Sequence, residues 1–103
     1  MSDFKLKMPI NLDQLEWDLK SDFSSKPIKR KKSASIVLLE DKDIAVYFKI
    51  RQDSIIIYTN IRFLTRLLAM NLHTQRYFQT KDYETRQKYL NWFNDKYKNY
   101  ILS

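Results

Sequence analysis

The sequence predicts an α+β fold: a three-stranded antiparallel β-meander with one N-terminal helix before it and two C-terminal helices after it. Three observations carry this. Leu12, Leu15, Leu19 and Phe23 recur at helical spacing near the start of the chain, which makes one apolar helix face. Between residues 34 and 60 come three segments rich in β-branched and aromatic residues, joined by short polar connections, as in successive hairpins. After Asn60 the apolar period changes to 3.6, to about His73, and it recurs from about Lys81 to Ile101. A small antiparallel sheet with helices on one face is the economical way to bury all these stripes.

The chain has 103 residues, which fits one domain over 1–103. A chain of this size buries roughly 60–70% of its unfolded surface. Hydrophobic residues make up 44% of it, so a folded core is expected rather than disorder.

The first element, residues 1–23, is helical. Asn11 precedes "LDQLEWDLKSDF" as the N-cap, with Gln14 three residues on, as in a capping box. Asp13 lies in the first turn, where the helix dipole favours an acid. Asp13, Glu16, Asp18 and Asp22 are expected to solvate the outer side. Trp17 falls off the main apolar stripe and is expected to widen the buried face.

Residues 24–33 read as a basic linker. The stretch "SSKPIKRKKSAS" carries Lys26, Lys29, Arg30, Lys31 and Lys32 with no acid among them. Pro27 keeps Lys26 out of the helical region. Like charges this close repel, which predicts an extended, mobile segment.

The meander spans 34–60. "ASIVLLE" is an almost continuous apolar run, "IAVYFKIR" alternates cleanly, and "SIIIYTN" is again β-branched and aromatic. The helices occupy 61–103. Ile61, Leu64, Leu68 and Leu72 form one row, with Phe63, Leu67 and Met70 beside it, giving a helix to about His73 capped by Asn60. "TQRYFQT" reads as a loop or helix break. A last helix from about Lys81 to Ile101 buries Leu90, Phe93, Tyr97 and Ile101.

Several chemistries are excluded. There is no cysteine, hence no disulfide, thiolate metal site or thiol nucleophile. There is no glycine either, so neither the dinucleotide fingerprint nor the P-loop can form. Turns that need positive φ must use Asn or Asp. His73 is the only histidine and reads as a surface or satisfied residue; no metal ligand set, cofactor or catalytic constellation is expected. No apolar run approaches the ~20 residues of a membrane span, and "MSDFKLKMPI" lacks a signal-peptide core. No membrane partner is expected, and the location is cytoplasmic or, in a eukaryotic host, nuclear. The wealth of Lys, Ile, Asn, Tyr and Phe suggests an AT-rich genome, in keeping with a virus or mobile element.

The net charge is +7, which favours polyanionic partners. Residues 24–51 hold eight basic and three acidic groups, whereas residues 1–23 hold three and five. With a two-residue loop at Gln52-Asp53, Tyr47 pairs with Tyr58, Lys49 with Ile56 and Arg51 with Ser54. One face would then gather Tyr47, Tyr58, Lys49 and Arg51, next to the basic run. Cations along a groove and flat rings are what single-strand binders use. The other reading is a Tyr47–Tyr58 cross-strand pair covered by a helix. It is favoured by Ile36, Leu38 and Ile56, expected on the same face.

The leading expectation is therefore a non-catalytic nucleic-acid-binding protein, for DNA or RNA, accessory to replication, transcription or packaging. Lys26, Lys29, Arg30, Lys31 and Lys32 would hold phosphates, Lys49 and Arg51 would extend the track, and Tyr47 and Tyr58 would stack bases. "PIKRKKS" also resembles a monopartite nuclear localisation signal, a cationic strip read by an acidic groove. A second reading is a protein–protein interaction module or inhibitor of a host protein, or a homodimer, with Trp17, Trp92 and Tyr100 as interface anchors. A third is a small metal-independent ribonuclease toxin using His73 with Arg, Lys and Tyr residues.

Overall fold

The computed structural model describes residues 2–32 and 34–102. Met1, Ser103 and Ser33, the last residue of the expected linker, lie outside the described residues. The fold is α+β, but its sheet has five strands, not three. In chain order the elements are β1 (Phe4–Lys5), α1 (Leu12–Asp22), β2 (Ile28–Lys32), β3 (Ser35–Leu39), β4 (Ile44–Ile50), β5 (Ser54–Ile61), α2 (Leu64–Leu67) and α3 (Leu72–Lys96). A 3-10 turn, Lys98–Tyr100, follows. The sheet order is β1-β5-β4-β3-β2, and every pairing is antiparallel.

The meander supplies β3, β4 and β5 as expected, and the two extra strands sit at its edges. The basic run is not a linker, because β2 pairs with β3 through Ile28↔Leu38, Lys29↔Val37 and Arg30↔Ile36. Strand alternation sends neighbouring side chains to opposite faces, which separates charges that would repel in sequence. Arg30 turns to the helix side and pairs with Asp13 and Glu16 of α1. At the other edge, β1 pairs Phe4 with Ile55 and Lys5 with Ser54. Beyond it, the Asp3 carboxylate accepts the Ile57 N–H at 2.7 Å and meets Arg86 at 2.5 Å.

The helices cover one face of the sheet. Ile36 and Leu38 of β3, Val46 and Phe48 of β4, and Ile55 and Ile57 of β5 are fully buried there with Leu15, Leu19, Tyr89 and Phe93. Burying each such side chain contributes about 1.5–3 kcal/mol. The N-cap of α1 is Asn11, whose side chain accepts the Gln14 N–H at 3.1 Å. Trp17 does not widen the buried face and is 67% exposed. It stands two residues from both Leu15 and Leu19, about 200° around the helix from each. Asp18 and Asp22 do more than solvate α1: they accept hydrogen bonds from the Tyr97 hydroxyl and, at 2.7 Å, from Trp92 Nε1.

The helical half departs from the sequence reading in its boundaries. Asn60 and Ile61 belong to β5. Only Leu64–Leu67 forms α2. The next helix starts at Leu72, where Asn71 accepts the Thr74 N–H at 2.9 Å, and runs unbroken through "TQRYFQT". It stops at Lys96 rather than Ile101, which instead bridges Leu6. No described residue has a positive φ, so neither Asn nor Asp stands in for glycine. The β3–β4 turn is closed by the Asp41 carboxylate, which accepts the N–H groups of Asp43 and Ile44 at 2.7 and 3.0 Å.

Glu40, at the end of β3, ties three segments together. It accepts from the Tyr89 hydroxyl and from Lys88 Nζ at 2.9 Å on α3, and Lys26 Nζ reaches it at 3.5 Å from the α1–β2 connection. Burial pushes its carboxyl pKa up, but Tyr89, Lys88 and Lys26 outweigh that and hold it below the ordinary range. Burial, and then Glu40, pushes the Tyr89 hydroxyl far above its usual value.

Glu40→Gln is expected to cost about 1–3 kcal/mol in urea unfolding, since buried donors lose a charged acceptor. A depressed carboxyl pKa stabilises the fold above the unfolded value and is lost as pH falls through the folded one. The wild-type advantage over Glu40→Gln should therefore be full at neutral pH and shrink below about pH 4.3. An advantage independent of pH down to full acid unfolding would contradict this account.

Candidate nucleic-acid interface

The face of the sheet opposite the helices is built by the alternate residues of each strand. Two cross-strand rows follow from the registers. One runs Lys29–Val37–Tyr47–Tyr58, and the next runs Lys32–Ser35–Lys49–Ile56. A register shift between Arg30 and Lys32 inserts Lys31 as a bulge. This extra residue gives Lys32 a place on the same face as Lys29, where strict alternation would have turned it to the helices. At the β1 edge the register adds Lys5 beside Ser54, and Arg51 donates its N–H to the Ser54 carbonyl at 2.8 Å.

The Tyr47–Tyr58 and Lys49–Ile56 pairings are those derived from the sequence. Ile36 and Leu38, expected on the tyrosine face, lie on the other one, opposite Phe48 and Val46. Val37 and Leu39 take their places because β3 pairs with β4 one residue out of the expected phase. Tyr47 and Tyr58 stack with ring centroids 4.9 Å apart and planes at 25°. Lys31 Nζ stands 5.4 Å from the Tyr47 centroid, on the β2 side, so that ring is flanked by the ammonium and by Tyr58. Tyr58 is 42% exposed.

Ion pairing divides the cations, although Lys7, Lys42, Arg62, Arg66, Arg76 and Lys98, away from the open face, also have no carboxylate partner among the described residues. Lys20, Lys26, Arg30, Lys81, Arg86, Lys88 and Lys96 all pair with carboxylates. Among the described residues, Lys5, Lys29, Lys31, Lys32, Lys49 and Arg51 take part in no such pair, and the strand positions of the open face include no acid. Of the residues singled out in the sequence, Lys29, Lys31, Lys32, Tyr47, Lys49, Arg51 and Tyr58 share this face. Lys26 and Arg30 do not: the first is tied to Glu40 and the second to α1. Lys5 was missed. The alternation of Phe4, Lys5, Leu6 and Lys7 is the signal that could have found it.

The three aromatic anchors fare differently. Trp92 and Tyr100 lean on the core, Trp92 with its ring 5.6 Å from Phe23, while Trp17 faces outward. A separate apolar patch lies around α2 and the start of α3, where Leu64, Leu68, Met70, Leu72 and Tyr77 are exposed. His73 lines a surface hollow of about 480 Å³ with Arg76, Tyr77, Thr80, Lys81 and Glu84. All six come from α3. No group of three or more His, Asp or Glu residues suited to a metal ion occurs among the described residues.

Comparison with known proteins finds no matching family model, no matching curated protein and no matching solved structure.

Tyr58→Ala is expected to lower stability by about 1–3 kcal/mol, the aromatic pair together with the ring surface buried beside it. Chemical denaturation would test this. A much larger loss would mean that the pair carries the fold and is not available to a ligand.

Proposed function

We propose that the protein binds nucleic acid, without catalysis, through the open face of its sheet. The observation that carries this reading is the set of cations on that face, Lys29, Lys31, Lys32 and Lys49, that join no ion pair among the described residues and surround the stacked Tyr47 and Tyr58, while the core packs the described helices on the other face. Phosphates supply the missing counter-charge, and each one neutralised releases condensed counterions. An aromatic ring at the surface gives bases a sequence-tolerant platform. A role in replication, transcription or packaging, in the cytoplasm or nucleus of a host carrying a virus or mobile element, is compatible with this chemistry. No described helix is long and apolar enough to cross a membrane.

A second reading, an interaction module, is favoured by the patch of Leu64, Leu68, Met70, Leu72 and Tyr77. Clustered exposed apolar side chains mark protein contacts. The two readings use different surfaces and can be tested separately.

Fluorescence anisotropy with labelled single-stranded DNA, duplex DNA and RNA at ~50 and ~200 mM salt tests the first. Binding should fall steeply with salt. Replacing Lys29, Lys31, Lys32 and Lys49 with Ala should flatten the log–log salt slope by about 3, at roughly 0.7 per single-strand phosphate contact. Absence of binding at low salt would overturn the proposal. For the second, Leu68→Glu with Leu72→Glu should abolish any self-association seen by sedimentation and leave nucleic-acid affinity unchanged. Self-association that survives the pair of changes would move the interface elsewhere.

A further inference from the structure

Resting on the nucleic-acid reading, we propose that the ligand is single-stranded and is held at two places on either side of Tyr58. One is the lysine cluster of β2. The other is a second phosphate seat at the β1 edge, formed by Lys5, Arg51 and the hydroxyls of Ser2 and Ser54.

The seat is a surface hollow of about 270 Å³ lined by Ser2, Lys5, Arg51, Ser54 and Ile56. Its lining residues bring two cations and two hydroxyls, all capable of donating to an oxyanion. Among the described residues, no carboxylate side chain lines it. The groups come from four separate places: the residues before β1, β1 itself, the turn after β4 and the start of β5. Backbone contacts fix their spacing, since Lys5 is opposite Ser54 and the Arg51 N–H bonds to the Ser54 carbonyl. Neither Lys5 nor Arg51 joins an ion pair among the described residues. Their charges are therefore left for an external anion.

Tyr58 lies between the two cationic regions. Tyr47 is flanked by Lys31 and by Tyr58 itself, so the outward side of Tyr58 is the ring surface left for a base. A base in a duplex has both faces occupied by its neighbours, and freeing one costs a few kcal/mol of unstacking. A single strand has no such cost. Ile56 stands two residues from Tyr58 on the same face and lines the hollow, giving an apolar shelf between the stacked base and the seat. From β2 to β1 the sheet spans four interstrand gaps, roughly 19 Å at about 4.8 Å each. Such a track suits a short occluded site, near the lower end of the ~4–16 nucleotides seen for single-strand modules.

The test is anisotropy titration of fluorescein-labelled oligothymidylate of about 12 nucleotides, against a duplex of the same length, with four proteins. These are the wild type, Lys5→Ala/Arg51→Ala, Tyr58→Leu, and a variant with Lys29, Lys31 and Lys32 changed to Ala. Circular dichroism confirms that each folds. The single strand should bind at least about tenfold tighter than the duplex. Lys5→Ala/Arg51→Ala should lose about tenfold at low salt and flatten the log–log salt slope by about 1.4, two single-strand contacts at roughly 0.7 each. Tyr58→Leu should lose about tenfold with the slope unchanged, as expected for a lost stacking contact. Duplex binding as tight as single-strand binding overturns the proposal. So does a Lys5→Ala/Arg51→Ala protein with wild-type affinity and slope. If the β2 variant still loses affinity in those cases, the nucleic-acid reading stands and only this inference falls. A wild type that binds neither probe removes both.

Discussion

In β4 every second side chain is apolar and buried, and β4 is the middle strand of five, so the side it chooses is the side all other elements must take. Val46 and Phe48 are fully enclosed, with Ile44 and Ile50 at the two ends of the same row. The rings of Tyr89 and Trp92 meet Phe48 edge-on, at 6.1 and 6.2 Å. Helix α3 therefore lies on that face, and α1 follows it through Phe23, whose ring is 4.8 Å from Tyr89. Ala45, Tyr47 and Lys49 make up the other side of β4. With the chain's main helices committed to the first face, the second receives no comparable cover.

The same alternation sorts charge. A run such as "KRKK" would be strongly self-repelling in an irregular segment. As an edge strand it divides its charges: Arg30 meets the acids of α1, whereas Lys29 and Lys32 go to the opposite face. The acidic excess of residues 1–23 is thereby consumed internally, since Asp3, Asp13, Glu16 and Asp22 all sit in ion pairs. What the open face of the sheet presents outward is a part of the unneutralised charge, and that part is basic. The bulge at Lys31 also interrupts the regular ladder at the edge of the sheet, and bulges and lysines on an edge strand discourage pairing with another chain.

Legibility in the sequence followed how local the determining forces are. The cap at Asn11, the alternation of β4 and the register that joins Tyr47 to Tyr58 are set by neighbours in the chain, and all three could be read directly. The edge strands could not be read so easily. β2 is a strand because β3 offers it a backbone partner, and its four basic residues carry none of the usual β-branched signal. β1 has two residues and depends on β5. The break between α2 and α3 turned on Asn71, a cap that the regular row of leucines concealed. Trp17 was misjudged because aromatic residues are usually buried, whereas its angular position on α1 points it to solvent. In the candidate site, alternation and register placed the β4–β5 residues. They did not place Lys26 and Arg30, whose partners are distant in the chain.

The absence of glycine has a consequence outside the folded state. Glycine is the residue with the most backbone freedom in the denatured ensemble, and replacing it at a compatible site stabilises a protein by about 0.4–1 kcal/mol, chiefly by restricting that ensemble. This chain has none to replace, and none of its described turns asks for a left-handed residue. Its unfolded chain is correspondingly stiffer than that of an ordinary domain of the same length, and the disorder surrendered on folding is smaller. For a molecule that covers only one face of its sheet with helices, that restraint on the competing state compensates for part of the apolar burial a second covered face would have supplied.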